Sequence, residues 1–250
     1  MTSDRYGGFA ERYDLFFGKF DELDPAVIEF YRHLFEQNQV RTVLDCACGT
    51  GRDLFMFHSL GLDVCGSDIS DAMLAQARKN LAAQAVKVPI LKADYRELPR
   101  HFRRKFDAVV CLSTAIGEMP DETEALRAFR SMCRVLREGG LLVLTQGTSD
   151  KQWREKPRFI PAINNRDVSR IFVIDYLEKG ARYNILDVFH SEQATDFKVW
   201  SIEYLQILLR DEMGRLLRES GFSKVDFYGT YGFEPYIKET SNRLITVATK

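Results

Sequence analysis

The 250-residue chain has no apolar run approaching the ~18 residues that cross a bilayer. Its first residues, MTSDRYGGFAERYDLFF, lack the basic stretch and apolar core of a secretion signal. Membrane insertion and export are not expected, and a cytoplasmic location is. Neither charge is in excess, with 35 Lys and Arg against 36 Asp and Glu, so no broad basic field exists to hold a nucleic-acid backbone by counterion release. Cysteine is sparse. Cys46, Cys48, Cys65, Cys111 and Cys133 include no C-x-x-C pair and have no His or Cys partner at ligand spacing, so reduced thiols are expected and a metal site is not. Repeats, low-complexity tracts and Pro/Ser-rich linkers are absent, which leaves one domain over residues 1–250 with a core of substantial size.

What is present is a regular alternation. DPAVIEFYRHLFEQ offers an Asp cap, a proline at the first helical position and an apolar stripe, and so predicts a helix from Asp24 to Gln37. RTVLDCAC reads as a buried strand, Arg52 to Leu60 as a helix, DVCGSD as a second strand, and SDAMLAQARKNLAAQ as a helix capped by Ser70. VPILKAD and FDAVVCLST are further strands, ETEALRAFRSMCRVLREGG a helix closed by glycine, and LLVLTQG a fifth strand. Alternation of this kind predicts an α/β fold, doubly wound around a mostly parallel sheet.

After Thr148 the rhythm changes. RIFVIDYLEKGARYNILDVFH reads as a hairpin turning at Lys179-Gly180, DFKVWSIEYLQ as another strand running into the helix YLQILLRDEMGRLLRESG, and FSKVDFYGTYG and SNRLITVATK as strands that rejoin the sheet. Residues 150–203 are therefore expected to form an inserted antiparallel cap, and residues 1–40 an N-terminal lid and helix.

The turn CACGTG, between the first strand and its helix, is the place where such a sheet holds a ligand. Gly49 and Gly51 permit unusual torsions and close approach. Asp68 ends the next strand, where a carboxylate can accept both hydroxyls of a ribose. A nicotinamide dinucleotide asks for a third glycine where this chain has Leu54. S-adenosylmethionine has no phosphate, and its positively charged amino-acid end suits Asp45, for which capping of the turn's own N–H groups is the lesser alternative.

VLDCACGTG resembles the first motif of the class I S-adenosylmethionine-dependent methyltransferases, and its DCACGTG form is nearest to glycine and sarcosine N-methyltransferases. DISDAML, KADYRELP, FDAVVCLSTAIGEMPD and FRSMCRVLREGGLLVL resemble the family's following segments, and the C-terminal strands its sixth and seventh, which completes a seven-stranded sheet. The resemblance implies S-adenosylmethionine held by Asp45, Ala47, Gly49, Gly51, Asp68, Ile69, Met73, Asp94, Tyr95 and Leu112. It also implies transfer of a methyl group to a small-molecule acceptor, at nitrogen. Tyr6 and Tyr13 are candidates for a lid over the cofactor, and Ser113, Tyr183, Arg182 and Arg243 for acceptor contacts. Glu118, His190 and Tyr13 are the candidates for proton handling, although a lone His in a strand is more often structural. Arg52 could hold an Asp, solvent or a ligand. The rival readings are a non-catalytic S-adenosylmethionine-binding partner subunit and a nicotinamide-dependent dehydrogenase, with a nucleic-acid methyltransferase opposed by LSTA where an N-P-P-Y-type sequence would stand. Pairing of two chains into a homodimer remains open.

Overall fold

A computed structural model describes residues 4–16, 18–190 and 195–250. In chain order it contains α1 (Ala10–Tyr13), α2 (Pro25–Gln37), β1 (Thr42–Asp45), α3 (Arg52–Ser59), β2 (Asp63–Asp68), α4 (Asp71–Ala83), β3 (Ile90–Lys92), α5 (Leu98–His101), β4 (Phe106–Cys111), α6 (Glu122–Val135) and β5 (Leu136–Gln146). There follow α7 (Asp150–Glu155), β6 (Phe159–Asn164), β7 (Val168–Tyr176), β8 (Ala181–His190), β9 (Thr195–Tyr204), α8 (Arg210–Glu219), β10 (Lys224–Tyr228) and β11 (Leu244–Thr249).

Seven strands form one sheet in the order β10-β11-β5-β4-β1-β2-β3, parallel except for β11, which runs against both neighbours. Strand order reverses between β1 and β4, so their carboxyl ends open a crevice at the switch point. The strands are buried on both faces because alternate side chains feed two cores. Val43, Ala108, Val110, Leu141 and Val143 pack with α2, α3 and α4. Leu44, Val109, Cys111, Leu142 and Leu144 pack with α5, α6 and α8. Side-chain caps start the helices: Asp24 accepts from Ala26 N at 2.9 Å, Ser70 from Met73 N at 3.1 Å and Asp121 from Glu124 N at 2.9 Å.

Several elements differ from their sequence reading. The helix expected to close at Gly139-Gly140 ends at Val135, and Leu136 is already extended with ψ 145°. The four residues after it enter the sheet as an irregular start to β5, with Gly139 at φ +71° and a register shift against β4 between Phe106 and Ala108. The last long helix begins at Arg210 instead of Tyr204, because Tyr204 still pairs in β9 and Ile207 N donates to Lys179 O at 2.8 Å. Finally, α7 and the edge strand β6, which carries Pro161, were not expected.

Strands β6 to β9 form a separate four-stranded antiparallel sheet. Its inner face meets residues 4–16, where the Phe9 ring stacks on Trp200 with centroids 4.1 Å apart. Its outer face leaves Phe159, Phe197 and Val199 exposed. The N-terminal segment is fastened at several points. Asp4 accepts from Ser70 Oγ and from Ala72 N at 2.9 Å, Arg5 O accepts from Trp200 Nε1 at 2.9 Å, and Asp14 accepts from Thr50 and from Asn80 Nδ2 at 2.7 Å. Arg12 pairs with Asp187, which also holds Arg170, and both Asp187 and Arg170 are wholly buried.

Candidate active site

The turn after β1 is organised by carboxylates. Asp45 lies beneath it, 1% exposed, and accepts from Ala47 N at 3.2 Å. Asp68, at the end of β2, accepts from Gly49 N at 2.8 Å and from Ser70 N at 2.9 Å, joining the turn to the start of α4. Gly49 has φ +50° and Gly51 φ +87°, torsions that disfavour any side chain. Gly51 also lets α3 approach α4, since a Cβ there would lie 3.2 Å from the Ala77 Cβ. The bulk of Leu54, which replaces a dinucleotide-type third glycine, is accommodated from the other side. A Cβ on Gly66 of β2 would stand 2.6 Å from Leu54 Cδ1.

Beyond the turn lies a cavity of about 240 Å³ lined by Ala47, Gly49, Asp68, Ile69, Met73, Asp94, Tyr95 and Leu112, together with Tyr6, Tyr13, Ser113 and Glu118. Eight of the ten residues expected at the cofactor are thus brought together. Asp45 and Gly51 instead shape the turn from behind it. Asp94 accepts from Arg96 Nε with both oxygens, at 3.0 and 2.9 Å. Burial raises the pKa of that carboxyl, but the Arg96 bonds outweigh it and the net shift is downward. Burial raises the carboxyls of Asp45, Asp68 and Glu118. In Glu118 the bond from the Tyr6 hydroxyl and the Arg5 guanidinium at 3.6 Å work against that rise.

A second cavity, about 450 Å³, lies between the N-terminal segment and the inner face of the antiparallel sheet. Phe9, Phe16, Phe172, Trp200 and Tyr204 form its walls, and Tyr183, Thr148 and Gln152 a polar end. There Thr148 Oγ1 lies 2.6 Å from Tyr183 Oη, and Gln152 Nε2 donates to the same oxygen at 3.3 Å. Tyr6, Tyr13 and Ser113 line both cavities and form their junction. Ser113 and Thr114 hold left-handed torsions, φ +55° and +69°, at a cost of order 1–3 kcal/mol each. Thr145 fixes them, its Oγ1 accepting from Ser113 N at 2.9 Å and its carbonyl from Thr114 N at 2.8 Å.

The remaining candidates lie elsewhere. His190 is exposed at the end of β8, with Nε2 3.0 Å from Ser169 Oγ. The Arg243 guanidinium lies 4.9 Å from the Tyr231 ring centroid, and Arg182 pairs with Glu203 at the surface. Arg52 alone among them stays at the turn, where it donates to Glu22 O and lines a recess beside Gly49 and Leu112. Sequence reasoning missed Trp200, Phe172, Tyr204, Thr148 and Gln152, which no local motif marks. It also missed Asp53, in the first turn of α3, which with Tyr13, Gly49 and Ser113 lines a recess of the turn. Burial pushes the Asp53 carboxyl up to about 6, against the opposing charge of Arg52. An acidic residue in a helix's first turn is so common that its position alone gave no signal. Among the described residues no cluster of His, Cys, Asp and Glu is placed to hold a metal ion, and no helix is long and apolar enough to cross a membrane.

Residues 43–140 match a family model described as a methyltransferase domain. A glycine/sarcosine N-methyltransferase of Aphanothece halophytica is 27% identical over 249 residues, covering 97% of this chain and 88% of that protein. Among solved structures, an S-adenosylmethionine-dependent methyltransferase from Clostridium acetobutylicum aligns with a TM-score of 0.81 at 18% identity over 98% of both chains. An S-adenosylmethionine-bound amino pentose methyltransferase from Micromonospora echinaspora aligns with a TM-score of 0.72 at 21% identity over 96% of both.

Proposed function

The chain is a class I S-adenosylmethionine-dependent methyltransferase, and from that premise we propose that it methylates nitrogen on a small-molecule amine seated in the aromatic cavity. The observation that carries this reading is the junction at Tyr6, Tyr13 and Ser113, residues common to both cavities. A donor in the first cavity and an acceptor in the second face each other there.

The residues of the first cavity fit the cofactor. Asp68 offers a carboxylate to ribose hydroxyls, Ile69, Met73 and Leu112 offer apolar surface to a flat base, and Gly49 presents backbone without a Cβ. Asp53 and Asp68 supply negative charge for a ligand that is positive overall. Bound there, S-adenosylmethionine supplies a methyl group already activated by its sulfonium. What remains for the protein is alignment, exclusion of water and removal of the amine's proton, to Glu118 or to solvent, so that the nitrogen lone pair is free to take the methyl group. Residues 4–16 act as the lid of this single domain and the antiparallel sheet as its acceptor cap. Tyr6, Tyr13 and Tyr204 present ring faces, with Glu118 beside them, to the positive charge of an amine. The exposed apolar residues on the outer face of the cap support pairing of two copies, to be checked by sedimentation. A cytoplasmic location accords with this chemistry.

The test is calorimetric titration with S-adenosylmethionine and S-adenosylhomocysteine, with Asp68→Ala in parallel, followed by detection of S-adenosylhomocysteine release with an amine panel. Micromolar binding, about 8 kcal/mol, that the substitution weakens, together with amine-dependent turnover, supports the reading. Binding without turnover of any amine points to a cofactor-binding partner subunit.

A further inference from the structure

The aromatic cavity carries no formal charge. Among the described residues that line it there is no Lys, Arg, His, Asp or Glu, and its polar atoms are hydroxyls, one amide, the Trp200 indole N–H, which donates to Arg5 O, and backbone. Two guanidinium groups lie close behind the N-terminal wall and share one carboxylate, with Arg170 Nη1 left without a hydrogen-bond partner among the described residues. Arg12 sits over the Phe9 ring and Arg170 over the Phe16 ring, with guanidinium carbons 5.2 and 4.2 Å from the centroids. Both pair with Asp187, and neither lines the cavity.

This matters for what the cavity accepts. An anionic group moved from water into such surroundings loses its hydration and finds no countercharge among the side chains that line the cavity, because the Phe9 and Phe16 rings stand between it and the guanidinium groups. A cation meets a different situation, because Tyr6, Tyr13, Tyr204 and Trp200 supply aromatic rings and Glu118, 3.6 Å from Arg5, adjoins the junction. The size also decides something. A cavity of about 450 Å³ is in the range that encloses a ring-bearing ligand and not a two-carbon amino acid. At the far end Thr148, Gln152 and Tyr183 form a neutral hydrogen-bonding group that suits hydroxyl, ether or carbonyl oxygens.

Resting on the methyltransferase reading, we propose that the acceptor is a ring-bearing amine whose body, within the cavity, carries no carboxylate or other anionic group, so that glycine and sarcosine are not its substrates. The chain has then kept the cofactor turn of its amino-acid-methylating relatives while its acceptor chamber selects against the α-carboxylate.

The experiment uses matched pairs that differ only in that carboxylate: tyramine against tyrosine, and benzylamine against phenylglycine, with glycine and sarcosine alongside. The wild-type protein is first saturated with S-adenosylhomocysteine, whose binding is verified by calorimetry. Each amine is then titrated while Trp200 fluorescence is followed, as the difference between wild type and Trp200→Phe, and methylation is measured with S-adenosylmethionine. The expected result is that the decarboxylated member of each pair binds and turns over better by about a hundredfold, and that glycine and sarcosine give neither signal nor product. Equal or stronger binding of the amino acids, methylation of glycine, or no binding of either member of a pair overturns the proposal and leaves the methyltransferase reading standing. Failure of S-adenosylhomocysteine itself to bind overturns both.

Discussion

The Tyr6 hydroxyl donates a hydrogen bond to the Glu118 carboxylate across 112 positions of sequence, fastening the N-terminal segment to the turn that follows β4. Since Tyr6 walls both cavities, that bond sets how firmly each is closed. A hydrogen bond to a charged group is worth about 1.5–3 kcal/mol. Tyr6→Phe, which keeps the ring, is therefore expected to speed S-adenosylhomocysteine release about tenfold or more in stopped-flow experiments and to lower stability by no more than about 3 kcal/mol, with Glu118→Gln showing a smaller effect on both.

Asp53 supplies a pH dependence with a defined sign. Its carboxyl is pushed up to about 6 by burial, from an ordinary 3.8, so the folded chain holds that proton more tightly than the unfolded one. Stability from this group is fully present below pH 3.8 and is lost as pH rises through about 6, on the order of 2–3 kcal/mol in all. Asp45 and Asp68, also raised by burial, act in the same sense, so the test is the difference made by Asp53→Asn. That variant is expected to melt higher than wild type at pH 7.5 and alike at pH 4. Cofactor binding should move the other way, strengthening from pH 5 to 7 as the carboxylate ionises, with proton release detectable in buffers of different ionisation enthalpy.

Gly180, at the tip of the β7–β8 hairpin, lies against the backbone of the strand that closes the acceptor cavity. A Cβ there would meet Tyr204 O at 2.1 Å and Leu205 O at 2.6 Å, and backbone cannot swing aside as a side chain does. Gly180→Ala is expected to displace the end of β9 at a cost of about 1–3 kcal/mol. Because Tyr204 walls only the acceptor cavity, the KM for the amine should rise while calorimetric affinity for S-adenosylhomocysteine stays near that of wild type.

Asp187 holds two guanidinium groups with no exposed surface of its own. It accepts from Arg170 Nη2 at 2.9 Å and pairs with Arg12, joining the cap to the N-terminal segment. Removing one partner of a buried ion pair typically costs about 3–5 kcal/mol, because the other charge stays buried. Asp187→Ala should lose stability of that order in urea unfolding, whereas Arg182→Ala, at the exposed Arg182–Glu203 pair, should change it by less than about 1 kcal/mol.

How much of this was legible in the sequence follows from how local each feature is. The strand, turn and helix around Gly49 could be read because Asp45, Gly49, Gly51 and Asp68 act within one βαβ unit, where spacing determines position. The acceptor cavity could not. Its walls come from Phe9, Ser113, Thr148, Phe172 and Trp200, which lie far apart in the chain and meet only when the cap sheet docks on the N-terminal segment. Residue type misled where packing could use the same chemistry. Arg243 stacks on Tyr231 and His190 faces solvent, and nothing in their neighbours distinguishes them from residues at a site. Asp45 shows the reverse case: the motif marks it correctly as part of the turn, but burial gives it the turn's own N–H group as partner.

Tyr6 and Tyr13 stand in the walls of both cavities, and Asp4, Glu118 and Trp200 hold the segment that carries them. A molecule bound in either chamber therefore touches a wall of the other. Ordered kinetics, with the cofactor bound ahead of the amine, are the expected result, and product-inhibition patterns check it. An amine bound before the spent cofactor has left would press on the same wall, and the expected sign is substrate inhibition at high amine concentration.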